Sequence, residues 1–441
     1  MSRCVKKQYK WIVLFACIVV YSSGNLVRWN YTGISSYLIS EWGIGKPELG
    51  ILGAAFFYAY AAGQSIWGGA TDVFGGRKVI PFGVLITAGL LAWFAAADGF
   101  NQALVIRACL GFVGAASFVP CMALLSKWFG KKGRGMALNL FSGVGGGSGE
   151  AWSFLLMPVV ALFMTGGGKI FGLQTWRAST LLMAGVVLVI AGLGYLLLRS
   201  DPVDIGLESI QKAEDSKNVQ SVSYKDAAIA ALKDPSFWVI TLVWQGFTVS
   251  LRLIPGWLPI YAAAYYRQGG MTKEQAMVAG GAMATMYVAG RIIGTPLVGK
   301  FSDYLLSRYR VPRTVILLGI HCLILLCLFC FTRSLPNPFV IGILCFFTGV
   351  FINMFPLVNA AAAEIWSIKT GGLLMGLINT VGQFIGATAL TFSGFMAVRF
   401  AVAGAGYSSE FRGIWFLAMI FSGVSILASL YMVFKARHAA E

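Results

Sequence analysis

Gly68-Gly-Ala-Thr-Asp72-Val-Phe-Gly75-Gly-Arg77-Lys78 closes one long apolar run, and Gly299-Lys-Phe-Ser-Asp303, with Arg308, Arg310 and Arg313 just beyond, closes another. Each places a glycine, three residues, an aspartate and then basic residues at the end of an apolar stretch. Glycine allows two helix backbones to approach closely. The aspartate can pair with Arg or Lys and meet a helix N-terminus. Such a segment works as a latch for one closed arrangement. One copy would carry little weight; two copies, each after the second apolar run of its half of the chain, point to an internal duplication.

Outward from these segments the chain divides into twelve apolar runs, at about 11–38, 48–70, 79–98, 102–125, 135–163, 177–199, 236–264, 274–300, 314–332, 337–362, 372–398 and 413–436. Roughly 20 residues suffice to cross a bilayer. Six runs precede the polar stretch 201–235 and six follow it. We therefore expect an all-α membrane protein: two pseudo-symmetric six-helix bundles, residues 1–200 and 236–441, joined by a cytoplasmic linker over 201–235. The linker holds Asp201, Asp204, Glu208, Lys212, Glu214, Asp215 and Lys217, and Tyr224 to Leu232 reads as a surface helix. Composition agrees: 58% of the 441 residues are hydrophobic and 12% charged, against about 25% charged in soluble chains.

The net charge of +17 does not point to nucleic acid, because the basic residues lie in the gaps between apolar runs. Assigning both termini and every even-numbered loop to the cytoplasm puts 22 of the 34 Lys and Arg there and 8 opposite, as the positive-inside rule requires. Arg3, Lys6, Lys7 and Lys10 resemble the start of a signal peptide, but the run from Trp11 continues too long and reads as an uncleaved first span. All cysteines but Cys4 lie in apolar runs, without the spacing of a disulfide framework or zinc site. Gly143-Val-Gly145-Gly-Gly147-Ser-Gly149 superficially suggests a phosphate loop, yet it lies within an apolar run and lacks the Gly-Lys-Ser ending, so it reads as a packing stripe. No nucleophile–His–acid set appears, and neither an enzyme nor a cofactor is expected.

Four arginines, Arg28, Arg107, Arg252 and Arg291, fall within spans. A charge at the centre of a span costs at least ~2.5 kcal/mol, so each needs a reason. Arg28 (Asn25-Leu-Val-Arg28-Trp-Asn30) and Arg252 (Ser250-Leu-Arg252-Leu-Ile-Pro255) lie deep in the first and seventh runs, equivalent elements of the two halves. Two guanidiniums facing one cavity form a clamp for a small organic anion, each able to fork onto a carboxylate or phosphate. Arg107 reads as a stabiliser of its half. Arg291 stands twelve residues before Asp303, roughly 18 Å above that end of the span; it either touches the substrate or belongs to a structural ion pair. Glu150 in the fifth run either carries a proton, making transport a symport, or pairs with Arg28 or Arg291.

The Asp72 and Asp303 segments, with Arg107-Ala-Cys-Leu-Gly111-Phe-Val-Gly114, resemble the major facilitator superfamily over essentially the whole chain. The resemblance implies two bundles rocking about a midplane site in alternating access, with Asp72, Arg77, Arg107 and Asp303 as gating and structural residues. Leu26-Val-Arg28, Leu251-Arg252, Asp201-Pro-Val-Asp-Ile-Gly206, Asp234-Pro-Ser-Phe-Trp238 and Asn139-Leu-Phe-Ser142 narrow it to the organophosphate:phosphate antiporters, such as the glycerol-3-phosphate and hexose-phosphate transporters. Carried over, this implies that Arg28 and Arg252 bind the anionic group and that Tyr21 and Asn139 line the cavity. The sequence departs from that group where Gln64 stands for a lysine, Ser142 for a histidine, and Asn25 and Val249 for tyrosines. Fewer cationic partners favour a carboxylate over a phosphate dianion. A multi-pass monomer in the bilayer of a bacterial inner membrane is expected, coupled to protons or a counter-anion. The alternative is a membrane sensor that binds the anion and signals to a partner protein.

Overall fold

The computed structural model describes residues 3–164, 169–170, 173–207, 229, 232–335, 337–365, 368–401 and 406–438. The surface helix expected over Tyr224–Leu232 and most of the polar linker lie outside the described residues. The rest is helical: α1 (Arg3–Gly33), α2 (Ser35–Trp42), α3 (Lys46–Phe74), α4 (Gly76–Ala95), α5 (Phe100–Gly114), α6 (Val119–Trp128), α7 (Lys131–Leu140), α8 (Gly146–Met164) and α9 (Thr175–Leu197), then α10 (Pro235–Gln268), α11 (Lys273–Tyr309), α12 (Arg313–Phe331), α13 (Pro338–Ile352), α14 (Phe355–Ile365), α15 (Ile368–Arg399) and α16 (Arg412–His438). Eleven helical stretches among the described residues are long and apolar enough to cross a membrane. A two-stranded hairpin, Lys169–Ile170 against Leu173–Gln174, precedes α9.

Several expected single spans are broken. The first bends at Ile34, between α1 and α2. The fourth tightens into a 3₁₀ turn at Ala115–Ser117 ahead of Pro120, which has no N–H to continue the ladder. The fifth, expected unbroken over 135–163, opens into a π turn at Phe141–Gly145 between α7 and α8. Helix starts are specified locally. The Asp234 carboxylate accepts from Ser236 N–H at 2.8 Å with Pro235 at the first helical position, and Thr272 with Gln275 forms a capping box for α11. Asp201 and Asp204 likewise box a 3₁₀ turn that ends on left-handed Gly206.

The chain forms two compact units, Met1–Ile44 with Ala55–Gln220 and Gly45–Ala54 with Ser221–Glu441. Within the first, α1 packs chiefly on α8 and α4 on α9. The later part of the glycine run packs on α1: a Cβ on Gly149 would lie 2.0 Å from the Ser22 carbonyl oxygen, so α1 and α8 meet there at a separation only glycine permits, and a Cβ on Gly145 would lie 3.1 Å from the Ile18 carbonyl oxygen, whereas one on Gly143 would meet nothing within 4 Å. Within the second, α11 packs on α13 in the same way: a Cβ on Gly349 would lie 2.0 Å from the Tyr287 carbonyl oxygen.

Candidate functional site

In the first unit Arg28 is buried on α1. Its guanidinium carbon lies 4.7 Å from the Tyr60 ring and 5.7 Å from the rings of Phe56 and Phe57, all on α3. The Tyr60 hydroxyl interacts with the side chains of Arg28 and Gln64, and Tyr21 is its electrostatic neighbour. Tyr21 is itself fixed by the rings of Phe118 at 5.1 Å and Phe141 at 4.8 Å. Aromatic faces attract a guanidinium without neutralising it, and among the described residues Arg28 forms no ion pair. Three predicted site residues, Arg28, Tyr21 and Gln64, thus meet around Tyr60.

Arg107 supports this cluster from behind. Fully buried on α5, it donates from Nη1 to the Val27 carbonyl at 3.1 Å and Asn30 Oδ1 at 3.3 Å, and from Nη2 to the Arg28 carbonyl at 2.9 Å. Tyr31 and Phe56 cover its guanidinium at 4.6 and 4.9 Å. These donors reach the main chain and an amide of α1.

The other predicted residues of this unit are placed differently. Asn25 turns to its own helix, donating to the Tyr21 carbonyl at 3.0 Å. Asn139 and Ser142 are exposed on α7 and the π turn. Glu150 is completely buried on α8, next to the Gly149 contact and two residues after Ser148, whose hydroxyl donates to Ser22 Oγ at 3.0 Å.

In the second unit Arg252 Nη2 donates to Gln383 Oε1 of α15 at 2.6 Å, and its stem crosses Gly386, where a Cβ would lie 3.0 Å from Arg252 Cγ. Arg291 is half-buried on α11, with its guanidinium 6.0 Å from the Tyr287 ring. The two latch segments differ. Asp303 Oδ1 pairs with Arg313 Nη2 at 2.9 Å. Asp72 is exposed and forms no ion pair among the described residues. Arg77 instead lies over the Tyr195 ring at 5.7 Å, with its N–H on Ser200 Oγ at 3.1 Å.

Tyr60 and Gln383 went unrecognised in the sequence. Their signals were present: an aromatic run Phe56-Phe57-Tyr58-Ala-Tyr60, and an amide, Gln383, one turn after Asn379 in an apolar span.

The Major Facilitator Superfamily pattern matches residues 14–303. The chain belongs to that superfamily. A probable hexose phosphate transport protein of Chlamydia pneumoniae is 24% identical over 87% of this chain and 85% of its own length. A probable sulfoacetate transporter of Cupriavidus necator is 25% identical over 98% of this chain and 95% of its own. Among solved structures, a bacterial homologue of the human lysosomal transporter Spinster, inward-facing and unoccupied, shares the fold with a TM-score of 0.76 at 16% identity, covering 97% of this chain and 98% of that one. The protein is a multi-pass membrane transporter of this superfamily, with phosphate-ester transporters among its relatives, and not an enzyme.

Proposed function

We propose that the protein is a secondary active transporter that moves a small organic anion across a bacterial inner membrane by alternating access, with both termini in the cytoplasm. Arg28 and Arg252 grip the anion, and Arg291 adds a third cation. The observation that carries this reading is the surroundings of Arg28: aromatic rings face its guanidinium and it forms no ion pair among the described residues, while Nη2 of Arg252, its counterpart, meets an amide. A neutral holder orients a guanidinium and leaves its charge for a ligand. Binding of the anion neutralises the clamp and gives the two conformations the differential affinity that alternating access needs.

A carboxylate is favoured over a phosphate ester. Gln64 and Ser142 provide no charge where the resembled phosphate transporters carry a lysine and a histidine, and one relative is named for sulfoacetate, a small organic anion. Glu150 is the coupling residue of a proton symport, being the one carboxyl within the fifth span.

Thermal stabilisation of the purified protein tests the reading. Mono- and dicarboxylates, sugar acids and sulfoacetate would be screened against glycerol phosphate, sugar phosphates and inorganic phosphate. One anion class should raise Tm, and Arg28→Ala and Arg252→Ala should each abolish the shift. Truncating one partner of a buried charged hydrogen bond costs about 2–5 kcal/mol, or about 30-fold to several thousand-fold in affinity. A shift that survives both substitutions sinks the clamp. Uptake into proteoliposomes tests the coupling: a pH gradient should accelerate the wild type and leave Glu150→Gln unaffected, whereas equal acceleration of both would remove Glu150 from that role.

A further inference from the structure

The first unit carries a concavity apart from the arginine cluster. It lies between α3, α4 and α9, beside the end of α3 that holds Asp72, and has a volume of about 760 Å³. Phe74, Phe82 and Tyr195 wall it, one from each helix, and all three rings are more than half exposed. Ala191 and Gly192 line it on α9, and a Cβ on Gly192 would meet nothing within 4 Å, so a larger side chain there has room to enter the groove. Along α4, from Lys78 to Leu85, the groove runs roughly 10 Å, about a third of the hydrocarbon thickness.

Its polarity is one-sided. Lys78 is the one charged residue on the lining. Arg77, next to it, lies over the ring of Tyr195, which is part of the wall. Both basic groups therefore stand at one mouth, at the level of the α3–α4 junction, and everything deeper is apolar. The positive-inside bias assigns that mouth to the cytoplasmic leaflet, where anionic lipids give the membrane surface its negative potential. A hydrocarbon tail fits the apolar length, and a lipid phosphate at the mouth meets an ammonium with a guanidinium beside it, in the charge-assisted geometry that anions favour. Basic mouths of clefts between spans hold anionic head groups in this way. A zwitterionic lipid offers the same tail but brings its own cation to the same mouth. We propose that this groove binds one anionic phospholipid, with an acyl chain over Gly192 and its phosphate at Lys78 and Arg77.

Native mass spectrometry of the delipidated full chain tests the assignment, with phosphatidylglycerol and phosphatidylcholine of identical chains as the added lipids. The wild type should retain one phosphatidylglycerol about tenfold more tightly than phosphatidylcholine, a difference of about 1.4 kcal/mol. Lys78→Gln, an exposed substitution, should bring the two lipids to within about threefold of each other. Gly192→Phe, which places a ring in the groove, should remove the tight adduct of either lipid, with an unchanged elution profile showing that the variant is folded. Should Gly192→Phe fail to fold, the loss of preference in Lys78→Gln still decides the matter. Equal retention of both lipids by the wild type would overturn the proposal. So would a tight adduct surviving in folded Gly192→Phe, or displacement of the lipid by millimolar inorganic phosphate. A dimer that dissociates with Gly192→Phe would give the groove to a second copy of the chain instead.

Discussion

Arg28 and Arg252 lie in the first helix of each unit, yet their surroundings share almost nothing. Arg28 is boxed by three rings from α3, and its carbonyl is gripped by Arg107 from α5. Arg252 has its Nη2 on a single amide from α15 and its stem over a glycine of the same helix. The host helices differ too: α1 gives way to α2 at Ile34, whereas α10 runs continuously through Pro255 and Pro259. What the two share is a neutral group against the guanidinium, aromatic rings at Arg28 and the Gln383 amide at Arg252 Nη2. A duplicated half can therefore diverge in packing while preserving what a ligand would feel.

The largest effect should come from altering that character at one arginine. Gln383→Glu should place a carboxylate on Arg252 and compete with the ligand, lowering anion affinity tenfold or more at an unchanged or raised Tm, whereas Gln383→Ala should cost about fivefold, the value of one ordinary hydrogen bond. Titration followed by ligand-induced stabilisation reads both. If Glu is tolerated as well as Gln, the neutrality of the holder is irrelevant and the comparison fails. A smaller effect is expected at the other arginine. Tyr60→Leu should weaken binding by about 1 kcal/mol through loss of the facing ring, and Tyr60→Phe should recover most of that loss. Equal losses in the two variants would show that the hydroxyl, not the ring face, matters. The smallest belongs to the latches. The Asp303–Arg313 pair leaves its carboxylate 72% exposed, and surface pairs contribute about 1 kcal/mol or less. Arg313→Ala should lower Tm by less than about 3 °C, and Asp72→Asn should leave it unchanged. A larger drop for Asp72→Asn would reverse the order of the two loops.

The architecture was legible because its signals are local and repeated. Apolar run length reports a span wherever it occurs, and the Gly-x-x-x-Asp segment reports its own duplication. Arg28, Arg107, Arg252 and Arg291 stand out because a charge in an apolar run is conspicuous without any knowledge of neighbours. Tyr60 and Gln383 do not stand out, because their significance depends on which helix faces which. Gln383 meets Arg252 across 131 positions of chain, and helical periodicity gives the face a residue occupies but not the helix opposite. The π turn at Phe141–Gly145 was hidden for another reason. The hydrophobic pattern across Leu140-Phe-Ser-Gly-Val-Gly145 is compatible with either α or π geometry, and glycines have no side chain with which to mark a face. The unequal latches were invisible too, since the shared Gly-x-x-x-Asp spacing says nothing about which basic residue reaches the aspartate: Arg77, five positions after Asp72, lies over a tyrosine, and Arg313, ten after Asp303, forms the pair.

Arg107 holds the carbonyl of Arg28 rather than its charged head. The root of Arg28 is thereby fixed to the scaffold, while the head is shaped by Tyr60 and its partner Gln64. Such an arrangement resembles a fixed mount with an interchangeable fitting: a library confined to Tyr60 and Gln64 could retune which anion is accepted while every variant inherits the same anchored backbone, so selection would act on chemistry rather than on folding.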